Sequence, residues 1–214
     1  MAYQIKILAH RGFWADESEK NSAVAFRRAL SQGFGIELDV RDLDGQIVIS
    51  HDLPSSKERN ITFEEFMGLY GESNAPLAIN VKSDGLQDFF SSYNFPGSFF
   101  FDMSIPDMRN YLRRGLPVFT RRSEYETAPS FLEESGGVWM DEFEGAWIDA
   151  AVLKRHLDQN KKVCIVSPEL HKRDYSERWA TLKHYFSRLP QDQLQSIMLC
   201  TDFPQRAKEF FNEN

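Results

Sequence analysis

The chain has 214 residues, 42% of them hydrophobic and 14% aromatic, with a formal charge of −7 at neutral pH. That length and apolar content suit one domain over residues 1–214 with a sizeable core. The acidic balance, with no basic stripe, argues against a nucleic-acid partner held mainly by phosphate contacts. No run of about 18 apolar residues is present to cross a membrane, and the N-terminus turns polar too soon for a signal peptide. A cytoplasmic protein without stable membrane association is the expectation.

The apolar runs are short and regularly spaced. Residues 5–9 read as a strand. A helix follows over 22–32: Asn21 or Ser22 can cap it, Ala23, Phe26, Ala29 and Leu30 form an apolar face, and Gly33 ends it. A second strand is read at 35–40. Asp44-Gly45 is a tight-turn signal before an apolar run at 46–50, which predicts a hairpin arm. Residues 62–70 read as a helix capped by Thr62, with Glu64 and Glu65 in its first turn, where carboxylates suit the helix dipole.

The alternation then continues. Strands are predicted at 77–81, 98–102, 117–120, 137–141, 163–167 and 196–201. Helices are predicted at 86–93, 106–114, 127–134, 150–159, 177–189 and 204–211. The two cysteines, Cys164 and Cys200, fall inside apolar runs and read as reduced core thiols. Leaving out the hairpin arm, eight strands are each followed by a helix. This predicts an α/β protein with a parallel sheet, closed as a (β/α)8 TIM barrel with a small β-hairpin arm after the second strand. An open doubly wound sheet is the alternative.

In such a barrel the functional groups collect at the C-terminal strand ends. His10 ends the first strand. Glu37 and Asp39 share one face of the second, and Asn80 and Lys82 share one face of the third. These five converge on one cavity, and His51, at the end of the hairpin arm, can fold back over it. Two carboxylates and an amide oxygen suit Mg²⁺ or Ca²⁺, with Mn²⁺ as a further choice. Arg11 and Lys82 are cationic anchors for a phosphate. Two histidines can serve as base and acid near neutrality. The set fits in-line displacement at a phosphodiester. Carboxylates with a purely structural role would be costly in an otherwise apolar strand.

AHRG (9–12), KNSAVAFRRALSQGFGIELDV (20–40) and DGQIVISHD (44–52) together resemble the glycerophosphodiester phosphodiesterase family, within the barrel-fold phosphodiesterases similar to phosphatidylinositol-specific phospholipase C. His10, Arg11, Asn21, Ser22, Glu37, Asp39, Asp44, Gly45, His51 and Asp52 match that pattern in order and spacing. Lys82 and Thr201-Asp202-Phe203-Pro204 extend the likeness more thinly. The resemblance implies a (β/α)8 barrel and metal-assisted hydrolysis of a small-molecule phosphodiester bearing a glycerol-like or polyol group. His10 and His51 would act as base and acid. Arg11 and Lys82 would bind the non-bridging oxygens, and Glu37 and Asp39 the metal. A neighbouring substrate hydroxyl can attack first, giving a cyclic phosphate that water opens.

The chain departs from the pattern in two places. Asn80 stands where the third carboxylate ligand is usual, so weaker metal binding is expected, with Asp102 and Asp141 as candidates to compensate. Glu19-Lys20 replaces the usual Pro-Glu before Asn21. Two rival readings follow: a lyase that stops at the cyclic phosphate, and a non-catalytic binding barrel with a degraded metal site. Among later residues, His171 with Glu169 and Lys172 is a candidate for lining the substrate side of the mouth, and Arg121 and Arg122 with Glu124 are candidates for binding a second charged group of the substrate. His156 and His184 read as packing or solvent-exposed helix positions, and Trp139 and Trp147 as core or barrel lining.

Overall fold

The structure, a computed structural model, describes residues 4–57, 59–94 and 96–213; the first residues of the N-terminal stretch judged above therefore lie outside it. The chain groups into two units, residues 8–118 and residues 1–7 with 119–214.

In the 8–118 unit the elements run β1 (Lys6–His10, its first two residues counted with the other unit), α1 (Ala23–Ser31), β2 (Gly35–Leu43), β3 (Gln46–Ile49), β4 (Ile61–Thr62), α2 (Phe63–Tyr70), β5 (Leu77–Val81), α3 (Gln87–Phe90), β6 (Phe99–Phe101) and α4 (Ile105–Arg113). Strands β1, β2, β5 and β6 pair in parallel in that order. The end of β2 pairs antiparallel with β3 across Asp44-Gly45, whose φ values of +50° and +80° are those of a type I′ turn. This is the predicted hairpin arm. Ser22 caps α1 by accepting from the Ala25 N–H, and Thr62 and Glu65 form a capping box on α2.

Period-2 alternation sorts the strand side chains. Ile36, Leu38, Ile79 and Phe100 take one face and pack under the helices. There Phe100 meets Phe90 and Tyr111 at ring-centroid distances of 4.8 and 5.2 Å, and Phe63 meets Phe90 at 5.2 Å. The opposite face carries the rows His10–Glu37–Ala78–Phe99 and Asp39–Asn80–Phe101, one residue per neighbouring strand.

The other unit continues with β7 (Phe119–Arg122), β8 (Gly137–Met140), α5 (Ala150–Asp158), β9 (Lys162–Val166), α6 (Ser176–Phe186), α7 (Gln191–Leu194), β10 (Ile197–Thr201) and α8 (Pro204–Asn212). Here β7, β8, β9 and β10 pair in parallel in chain order. Trp179 of α6 anchors the helical layer against Phe210 and Phe211. Cys164 and Cys200 are buried on adjacent strands but sit opposite Met198 and Val166, not each other. Among the described residues no helix is long and apolar enough to cross a membrane.

Two predicted helices are corrected. Residues 127–134 form turns: Phe131 adopts φ +53°, and the Thr120 hydroxyl donates to the Ser130 carbonyl. The helix read over 86–93 shrinks to α3. No side chain caps its start, and the Ser91 and Ser92 hydroxyls donate to the Gln87 and Phe89 carbonyls, in competition with the helical ladder.

Several charged groups of this second unit are structural. Arg178 donates to both Glu142 oxygens at 2.8 and 2.7 Å, with both residues buried. Glu142 also accepts the N–H groups of Trp147 and Ile148, so the pair holds the loop that leads into α5. Arg178→Met leaves Glu142 buried with its charge uncompensated; the expected loss is about 3 kcal/mol of unfolding free energy, measured by urea titration at neutral pH.

Candidate active site

The first two strands and the turn after β1 build the core of the candidate site. Gly12 adopts φ +86°, and a Cβ there would lie 2.8 Å from the Ala25 Cβ, so only glycine lets this turn pack on α1. Arg11 and Asn21 both adopt φ +58°, and the Asn21 N–H donates to the Arg11 carbonyl at 2.9 Å. Left-handed backbone is unusual for arginine and costs on the order of 1 kcal/mol. It turns the Arg11 backbone and side chain onto the β2 carboxylates.

Glu37 and Asp39 are 2% and 0% exposed. The Arg11 N–H donates to Glu37 Oε2 at 3.2 Å, and His10 Nε2 lies 3.9 Å from the same oxygen. Asp39 Oδ2 is 3.0 Å from Arg11 Nε and accepts from Asn21 Nδ2 at 2.9 Å. Lys82 Nζ lies 3.7 Å from Asp39 Oδ1 and 3.9 Å from Asp102 Oδ2. His10, Arg11, Glu37, Asp39 and Lys82 are thus one connected cluster. Asn80 is the register partner of Asp39 on β5. Two of the buried oxygens in this pair, Asp39 Oδ1 and Asn80 Oδ1, accept no hydrogen bond.

His51 is joined differently. The Ser50 N–H donates to the Asp39 carbonyl at 3.1 Å, which brings the end of the hairpin arm beside the cluster. The imidazole itself, 44% exposed, is bonded through Nδ1 to Asp52 at 2.8 Å. A carboxylate only accepts, so the Nδ1 proton is on the ring and Nε2 is the site for proton exchange. The bond from His51 lowers the Asp52 pKa.

Two residues of this cluster had other readings or none in the sequence. Asn21 was a candidate helix cap; Ser22 does the capping and Asn21 reaches Asp39 instead. Its position in the KNS match was the available signal. Arg41, which adjoins the cluster by donating to the Lys82 and His51 carbonyls, had none, although it shares the face of Glu37 and Asp39 by period-2 spacing.

The later-loop candidates have other partners. Arg121 pairs with Glu126, and Arg122 donates to the buried His156 at 2.7 Å. Glu124 accepts three N–H groups of residues 143–145. His171 is bonded to Asp141 at 2.5 Å, and Glu169 accepts from Ser167, Thr201 and the Asp202 N–H. Lys172 is exposed.

Electrostatically, burial and then the adjacent Asp39 charge push the Glu37 pKa well above the usual carboxylate range, against the opposing pull of Arg11 and Lys82. Two carboxylates this close call for a cation between or beside them. Arg11 and Lys82 meet part of that demand at Asp39.

The comparisons bear on the fold first. A candidate glycerophosphodiester phosphodiesterase from Galdieria sulphuraria superposes with a TM-score of 0.73 at 15% identity, covering 98% of each chain. One from Agrobacterium tumefaciens gives 0.63 at 13% identity, covering 95% of this chain and 96% of that one. A Ca²⁺-dependent phosphatidylinositol-specific phospholipase C from Streptomyces antibioticus gives 0.51 at 11% identity, covering 95% and 96%. A 7,8-dihydropteroate synthase from Vibrio fischeri gives 0.55 at 11% identity, covering 97% and 91%. The likeness shows the fold, an α/β fold of the (β/α)8 type, which several chemistries share. No protein-family model matches the chain. Formamidopyrimidine-DNA glycosylases from Legionella pneumophila are 29% identical over 138 residues, 58% of this chain and 48% of theirs. The chain thus spans about half the length of the curated relatives it matches.

Because the folded pKa of Glu37 lies above its unfolded value, the protonated side chain favours the fold at low pH. That contribution is lost as pH rises through the folded pKa. In chelator, Glu37→Gln is therefore expected to resist urea better than the parent at pH 8, with the difference shrinking toward pH 5. Equal midpoints at both pH values would contradict the burial cost assigned to Glu37.

Proposed function

We propose that this chain hydrolyses a small, water-soluble phosphodiester, a glycerophosphodiester or related polyol phosphodiester, in a divalent-metal-dependent reaction. The observation that carries the reading is the Glu37–Asp39 pair with Asn80 beside it and Arg11 and Lys82 at its edge. The family resemblance and the shared fold support it. The charge of −7 supports a small-molecule substrate over a nucleic acid, so the glycosylase match is not carried over to activity.

The donor set fits a hard cation. Glu37, Asp39 and Asn80 offer oxygen only, and the unbonded Asp39 Oδ1 and Asn80 Oδ1 lie on register-paired positions. It is a weak set: among the described residues no group of three His, Cys, Asp or Glu side chains is arranged to hold a metal. Mg²⁺ or Ca²⁺ is the choice, with Mn²⁺ next; when bound, such an ion supplies charge neutralisation and polarises a phosphoryl oxygen.

The side chains then divide the work. Arg11 and Lys82 turn from Asp39 toward the non-bridging oxygens. His10 takes the proton of the attacking hydroxyl, from the substrate itself or from water. His51, oriented by Asp52, returns a proton from Nε2 to the leaving alkoxide. Attack by a substrate hydroxyl yields a cyclic phosphate, which the reverse assignment of the histidines opens with water.

Phosphorus NMR on a panel of glycerophosphodiesters tests this. Conversion to a monoester is expected with added Mg²⁺, Ca²⁺ or Mn²⁺ and is expected to stop in chelator. A persistent cyclic product instead identifies a lyase, and substrate binding without turnover a binding barrel. His10→Ala and His51→Ala are each expected to lower kcat by roughly 10²–10⁴-fold; parental rates in either overturn its role. Asn80→Asp adds a charge to the donor set and is expected to lower the metal concentration that gives half-maximal rate.

A further inference from the structure

Arg41 is the third member of the row that begins with Glu37 and Asp39, one step nearer the C-terminal end of β2. At this level the ladder with β5 ends, while the hairpin ladder with β3 continues through Arg41–Val48 to the turn. On one edge the paired register with β5 ends at Val40–Val81, and the Lys82 N–H still donates to the Val40 carbonyl at 3.0 Å. On the other edge Ile49 pairs with Val40, and the Ser50 N–H reaches the Asp39 carbonyl. The half-buried Arg41 side chain links the two flanking segments. Its Nε donates to the His51 carbonyl at 3.0 Å and its Nη1 to the Lys82 carbonyl at 3.1 Å.

A guanidinium is planar and always charged, and its donors diverge at fixed angles. Two carbonyls bound to one such group are held at a set separation. The residues so joined are the ends of two segments that β2 keeps apart. One carries the exposed imidazole of His51 and the other the ammonium of Lys82.

The geometry points to Arg41 as a positioning residue that fixes the proton donor His51 relative to the phosphate anchor Lys82. This rests on the reaction proposed above, because it is that reaction which gives His51 and Lys82 their roles. Arg41 acts through the backbone of both segments. Lysine in its place keeps the charge but carries its donors on one rotatable nitrogen, without the rigid fork that fixes the separation of the two carbonyls.

The test compares Arg41→Met and Arg41→Lys, each in the parental and His51→Ala backgrounds, with amide hydrogen exchange as a second readout. Displacing an acid by about 1 Å costs up to roughly 10²-fold, so Arg41→Met is expected to lower kcat about 10- to 100-fold. Arg41→Lys is expected to recover part of that loss. In the His51→Ala background Arg41→Met is expected to cost far less, since the acid it positions is gone. Exchange is expected to quicken at residues 51–53 and 82–84 and to stay parental along β1 and β6. A parental kcat in Arg41→Met overturns the proposal. So does the same fall in both backgrounds, which marks a general structural loss, and so does unchanged exchange at both segments. A parental rate in His51→Ala overturns the role of His51 and with it this assignment. The exchange comparison in that case still shows whether the two segments are clamped, so the two failures are told apart.

Discussion

Two carboxylates two residues apart on one strand, both removed from water, constrain everything around them in the 8–118 unit. Burial and the adjacent Asp39 charge raise the cost of ionising Glu37. The fold answers with positive charge and donors brought from three other places. Arg11 arrives through a left-handed turn after β1, Asn21 through a second left-handed residue at the head of α1, and Lys82 from the end of β5. Gly12 is part of the same device, since the turn that presents Arg11 must lie against Ala25. The strain in this loop and the unfavourable charge on β2 are borne together, which is the usual mark of a site kept for chemistry.

The other unit shows that a carboxylate at a strand end does not by itself mark such a site. Glu142, Glu124 and Glu169 all lie near strand ends, as catalytic groups would. Glu142 is spent on Arg178 and two backbone amides, Glu124 on three backbone amides, and Glu169 on two hydroxyls and an amide. Their acceptor capacity goes to anchoring loops. Unlike these three, Asp39 and Asn80 each keep a buried oxygen that accepts no hydrogen bond from the protein. The relevant property of a candidate site is therefore the acceptor left over after the fold has been satisfied.

The ladder geometry of β2 connects this site to the hairpin arm. The same strand holds the carboxylates in the middle, pairs with β3 from Val40 onward, and carries Arg41 just past the last β5 rung. His51 and Lys82 thus belong to segments on opposite edges of β2, and a single planar side chain spans the gap.

Most of the architecture was legible in the residues. The parallel strands described in each unit and the hairpin arm follow from short apolar runs, Asp44-Gly45, and cap residues such as Ser22 and Thr62, because these signals are local. Where local signals were ambiguous the reading failed, as at 127–134, where a left-handed Phe131 turns the chain. The row of Glu37 and Asp39 was also legible, since alternation on a strand depends on nothing but its period. Tertiary structure alone decided the partners: that Asn21 serves Asp39 and not the helix, that Arg122 serves His156, that Asp141 is tied to His171, and that Arg41 joins His51 to Lys82. The physical reason is range. Caps, turns and periodicity act over a few residues, whereas a hydrogen bond between distant segments depends on how strands are registered, and a sequence does not print its register.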